Sequence, residues 1–188
     1  MSSFLRRVLA PSLSRTGVLR CLSAAIVGTL LAATFGIVHD QITYTISPEY
    51  FTHFKFQQFA QVNPNGPPRL FVAVIGVLAT WWVGLIAGWI IGRQNCRLPS
   101  GFTWQVRAQF FILLATTIIG SALGGIYGAF LSEISLDDLL TLEQVGITDP
   151  DAFRTVGKIH LGGYIGVVIG LFVTVAIDAK RPSEEPKL

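Results

Sequence analysis

The sequence predicts an all-α, polytopic integral membrane protein, a four-transmembrane-helix bundle with short interfacial helices in two outer loops. Three observations carry that expectation. The 188 residues are 51% hydrophobic and only 13% charged, and their mean hydropathy is +0.57, well outside the balance of a soluble domain. Residues 21–38, 70–92, 108–132 and 161–177 contain no Asp, Glu, Lys, Arg or His. At about 1.5 Å per residue, each run is long enough to cross a hydrocarbon layer of about 30 Å. The basic residues are also sorted, with ten of the fourteen before the first run, between the second and third, or after the fourth.

The N-terminal tail, residues 1–20, carries Arg6, Arg7, Arg15 and Arg20, and no acid occurs before Asp40. Short segments rich in Lys and Arg stay on the cytoplasmic side, so both this tail and the tail 178–188 are expected there, with loops 39–69 and 133–160 outside. The outer loops hold eight of the eleven acids. A plasma membrane is the location this charge sorting implies. The Arg- and Ser-rich lead also fits a mitochondrial transit peptide, which makes the mitochondrial inner membrane the alternative. Cys21 and Cys96 form no CxxC pair and fall on the arginine-rich side, where no structural disulfide is expected.

The first outer loop opens with "ITYTI", an alternation of β-branched and aromatic residues that predicts a short extended segment. "SPEYF" then starts a helix, with Ser47 as cap, Pro48 in the first turn and Glu49 near the positive end. Tyr50, Phe51, Phe54, Phe56 and Phe59 make it an interfacial or inward-plugging helix, and "NPNGPPR" ends it. In the second loop, Ser135 caps "LDDLLTLEQV" and Gly146 stops it. Asp149 and Pro150 then start a helix that continues into the fourth span.

Each span carries small residues four apart: Gly28 and Gly36 around Ala32; Gly84, Gly88 and Gly92; Gly120, Gly124 and Gly128; Gly162, Gly166 and Gly170. Positions four apart share a helix face, and without a Cβ the backbones approach closely, so a tight bundle is expected. A weak repeat accompanies this pattern. "GTLLAATFGIVHDQIT" from Gly28 aligns with "GSALGGIYGAFLSEIS" from Gly120, and "VGLI" of the second span with "IGLF" of the fourth. A duplicated hairpin would relate the halves by an axis along the membrane normal.

All three histidines fall on the outer side. His39 with Asp40, His160, and Glu49 or His53 are candidate ligands for zinc, copper or iron, although their sequence separation forms no ligand motif. The spans lack ionisable groups, which disfavours a charge-coupled pump. Thr34, Thr80, Thr116, Thr117, Ser121, Tyr127 and Thr174 supply only hydroxyls for a polar path. GxSxG, HExxH and a phosphate-cradling glycine loop are all missing. The basicity follows topology and brings no nucleic-acid-binding pattern with it.

"HDQITYTISPEYF", residues 39–51, resembles a block in uncharacterised bacterial membrane proteins of several spans, which bear HDQ followed by PEYF after their first span. The resemblance implies a bacterial inner membrane and names no reaction or cofactor. The expected role is structural, assembly or accessory, with the outer loops binding lipid or a membrane-protein partner and leftover glycine faces open to a homo-oligomer. The alternatives are a small-solute transporter or channel, and a metal-binding or metal-dependent membrane enzyme.

Overall fold

The computed structural model describes residues 13–96 and 102–180, and its ordered elements are helical. The chain forms α1 (Arg15–Ile46), α2 (Pro68–Asn95), α3 (Phe102–Ile126), α4 (Leu136–Gln144) and α5 (Pro150–Ala179). Short turns follow α1, and a π-helical turn, Tyr127–Leu131, ends α3. Four helices are long and apolar enough to cross a membrane: α1, α2, α3 with its π turn, and α5. The outward side chains agree with an apolar solvent, since Phe130 is 81% exposed and Phe111 and Phe172 are each 72% exposed. The basic residues at 6, 7, 97, 181 and 187, and most of the segment weighed as a transit peptide, lie outside the described residues.

The helices overrun the charge-free windows. α1 continues through His39 and Asp40 to Ile46, so "ITYTI" is helical and not extended. Strand-like alternation has no partner strand here, whereas the helix satisfies its own backbone. Thr43 Oγ1 and Thr45 Oγ1 additionally donate to the carbonyls of His39 and Gln41, at 3.1 and 3.0 Å. α1 stops at Ser47 because Pro48 follows and drives the preceding residue out of helical space, to φ −140° and ψ 96°. Ser47 then caps the next turn by accepting from the Tyr50 N–H. In "NPNGPP", Asn65 takes φ 53° beside a 2.9 Å bond from its N–H to Asn63 Oδ1, a local turn that delivers Pro68 to the first position of α2. α4 and α5 start at Ser135 and Asp149 as expected, and Gly146 follows α4 at φ 85°.

Packing is pairwise. α1 lies along α2, and α3 along α5, each pair in continuous contact, while the two hairpins touch each other far more sparsely. A methyl group added at Gly28 would meet the Gly84 carbonyl, one at Gly36 that of Gly76, and one at Gly88 that of Ala24. The other hairpin repeats the scheme, with Gly120 against Gly162, Gly124 against Lys158, and Gly166 against Thr116. Gly76 takes part in this packing although it lies outside the four-residue patterns read from the sequence. Thr80 Oγ1 adds a hydrogen bond across the first interface, 2.8 Å from the Ala32 carbonyl.

The hairpins meet at their two ends. At the loop end, Tyr50 and Phe51 pack with Val72 and Val156, flanked by Tyr44, Phe56 and Phe153. The aromatic segment after α1 is therefore a plug seated on the helix ends. At the opposite end, Ala87, Ile91, Val106 and Leu113 form an apolar contact. A buried amide chain joins α2 to α3 there: Asn95 Nδ2 donates to Gln109 Oε1 at 2.6 Å, and Gln109 Nε2 to Gln94 Oε1 at 2.7 Å. Cys21 and Cys96 are free thiols. Between the two closures lies a cavity of about 460 Å³, lined by all four long helices.

Candidate metal centre

At the loop end of this cavity three of the expected ligands converge. His39 Nδ1 lies 3.2 Å and His160 Nε2 3.3 Å from the same oxygen of Asp40, Oδ1. The three ligand atoms fall within 4.8 Å of one another. Asp40 is 4% exposed, and both imidazoles are nearly buried. His39 and Asp40 are consecutive residues of α1, and α5 brings His160 from 120 positions away.

The hydrogen bonds around the cluster orient its rings and place one proton. A carbonyl only accepts, so His160 Nδ1, 2.9 Å from the Val156 carbonyl, carries the ring hydrogen. Nε2 then faces Asp40 Oδ1, as the second N–H of an imidazolium paired with the carboxylate or as a lone pair open to an ion. A ring N–H donated to a backbone carbonyl, with the other nitrogen free, is the arrangement that orients metal-bound histidine. His39 is held on its far side by Ser121, whose Oγ lies 3.5 Å from Nε2, and by its ring against that of His160, 4.8 Å between centroids. Bonds of about 2.0–2.1 Å in a tetrahedron imply ligands about 3.3–3.4 Å apart. Two of the three separations already match, and the third is no more than 4.8 Å.

Glu49 and His53 do not join the cluster. The Glu49 carboxylate accepts from the Thr148 N–H at 3.0 Å, the Thr148 hydroxyl at 2.6 Å and the Asp149 N–H at 3.0 Å. These bonds, the Thr148 hydroxyl foremost, hold its carboxyl below the usual range. It ties the first outer loop to the start of α5 and does not line the cavity. His53 is exposed and contacts the neighbouring Thr52 hydroxyl at 3.2 Å. Both face outward because the turn after Ser47 buries Tyr50, Phe51 and Lys55 instead.

Lys55 is the site residue that sequence reasoning missed. It ends a π-helical turn, Phe51–Lys55, closed by the Phe56 N–H on the Phe51 carbonyl, and is only 8% exposed. Its Nζ donates to Gln58 Oε1 at 3.3 Å and lies over the rings of Phe54 and Tyr50. Burial pushes this ammonium below the ordinary lysine range, opposed in part by the Asp40 charge. The Tyr50 ring also stacks on His160, 5.1 Å between centroids, and burial pushes its phenol up to about 12. In the sequence Lys55 reads as one of four basic residues in the outer loops. Its aromatic neighbours were the available signal that it turns inward.

Most of the hydroxyls considered for a polar path bond to backbone. Thr34, Thr116, Thr117 and Thr174 each donate to a carbonyl of their own helix, and Thr80 bonds across to α1. Comparison with known proteins assigns nothing further to this site: no protein-family model, curated protein or solved structure matches the chain.

Proposed function

We propose that this is a metal-binding protein of a bacterial inner membrane, with both termini cytoplasmic, that holds one divalent transition ion on His39, Asp40 and His160. The single observation that carries the reading is the convergence of His39 Nδ1, Asp40 Oδ1 and His160 Nε2 within 4.8 Å of one another at the cavity end, with the other His160 ring nitrogen committed to a carbonyl. Two imidazoles and one carboxylate suit zinc or ferrous iron and leave coordination positions open. An ion held there would supply Lewis acidity to whatever occupies those positions, at the end of an apolar cavity. The ligands converge where an accessory role would require no convergence, which favours this reading over the structural one. Membrane orientation rests on the distribution of Lys and Arg, with Arg15, Arg20 and Arg93 at one end of the bundle and the acidic loops at the other.

The test is metal content. Full-length protein purified in detergent and dialysed against zinc should retain one ion per chain. His39→Ala, Asp40→Asn and His160→Ala should each lower zinc affinity by tenfold or more, while His53→Ala and Glu49→Gln leave it unchanged. Wild-type protein holding no more zinc than the His39→Ala/His160→Ala double variant would overturn the reading.

A further inference from the structure

We propose that the cavity takes a single-chain amphiphile with a carboxylate head, the head lying between the metal position and Lys55 and the chain between the two hairpins. The inference rests on the metal reading and extends it to a ligand class.

Shape and polarity come first. The cavity, about 460 Å³, falls within the range of small-molecule sites, about 300–1,000 Å³. Its length is walled by Leu31, Phe35, Val83, Phe110, Leu114 and Val167 from all four long helices. His39, Asp40, Lys55 and His160 line the same cavity, and the contacts already described gather them at one end. A space apolar along its walls and charged at one end matches an amphiphile, because water-soluble solutes have nothing to bond to along such walls.

Charge then selects the head. Among the described residues no carboxylate lies within ion-pair distance of Lys55 Nζ, whose partners are an amide oxygen and two aromatic faces. With a divalent ion in place, Asp40 cancels one positive charge, and two remain at the end of an apolar cavity. Uncompensated charge there is costly, and an anion relieves it. A carboxylate does so in one step, with an oxygen on an open metal position and its charge facing the ammonium. Without the ion, Asp40 and Lys55 balance each other and the attraction for an anion disappears. Carboxylate binding is thus coupled to metal occupancy.

The probe is cobalt(II), which reports its coordination by visible absorption, bound to full-length protein in nonionic detergent. Octanoate, decanoate and dodecanoate should perturb the cobalt spectrum with rising affinity, up to about fourfold per added methylene, while acetate binds weakly and dodecanol leaves the spectrum unchanged. Lys55→Met should still load cobalt but lose at least tenfold in dodecanoate affinity. Val83→Trp, which fills the cavity, should abolish the chain-length dependence. If cobalt binds and dodecanoate is held no more tightly than acetate, or Lys55→Met binds it as wild type does, the ligand inference falls and the metal site stands. Failure of wild-type protein to bind cobalt or zinc overturns both.

Discussion

Asp40 is one of the residues at which the two hairpins exchange polar contacts, and its neighbours show how position differs from environment. His39 and Asp40 are adjacent on a helix, where side chains ordinarily diverge, yet both reach the cavity end, where one Asp40 oxygen contacts both His39 and the His160 that α5 presents. The three outer histidines were legible as candidates from their scarcity. Which two converge was not, because α5 supplies His160 from 120 residues away and nothing local marks the partner. Glu49 looked equally suitable and is instead committed to Thr148 and Asp149. That commitment has a pH signature. A carboxyl whose folded pKa is depressed adds stability that is fully present above its unfolded value, about 4.3, and is lost as pH falls through the lower folded value. Glu49→Gln should therefore melt below wild type at pH 6, with the difference shrinking as both are taken toward pH 3. The site is exposed, so the gap should be modest. Thermal unfolding in detergent across that range checks it, and a gap that widens on acidification would contradict the assignment.

Helices here are set by solvent more than by intrinsic propensity. Charge-free runs located all four long helices, but their ends lay further out, because a helix continues past the apolar window until a proline or cap stops it. "ITYTI" went the other way from its strand-like pattern for the same reason. The glycines show what the pattern can do once two helices meet. Gly88 sits against the backbone of Ala24 and Ala25, and Gly124 against that of Lys158. Since backbone cannot yield as a side chain can, Gly88→Leu and Gly124→Leu should each cost about 1–3 kcal/mol or more through overpacking. Gly157 is the control. A methyl there meets only Tyr50 Cε2 at 3.7 Å, an ordinary contact. Gly157→Ala should hold or raise stability, since alanine favours helix by up to about 1 kcal/mol. Equal melting temperatures for Gly88→Leu, Gly124→Leu and Gly157→Ala would refute the close-packed interfaces.

At the scale of the molecule the two hairpins are copies in their contacts. Gly28 meets Gly84 and Gly88 as Gly120 meets Gly162 and Gly166; Gly88 meets Ala24 and Ala25 as Gly166 meets Thr116 and Thr117; Gly92 meets Cys21 as Gly170 meets Leu113. The first and third spans match in the register seen in the sequence. The second and fourth match two turns away from the "VGLI" to "IGLF" alignment, pairing Gly84 with Gly162 and not with Gly170. Glycines every four residues look alike at any shift of four, so only the partner helix reveals the register. The charged cluster, by contrast, is unpaired in the repeat. It is assembled between copies, from α1 of one and α5 of the other, across the sparser contact between the hairpins. Each hairpin should therefore insert and pack as a unit, while metal affinity belongs to the assembled pair. Severing the chain between Cys96 and Phe102 divides the ligands, leaving His39 and Asp40 on one fragment and His160 on the other. Fragments co-expressed in one membrane should co-purify and bind zinc near the wild-type level, whereas either alone should bind at least tenfold more weakly. Full zinc affinity in the first fragment alone would show that His160 is not a ligand. Co-purified fragments that bind no zinc would show that the hairpins associate without forming the centre between them.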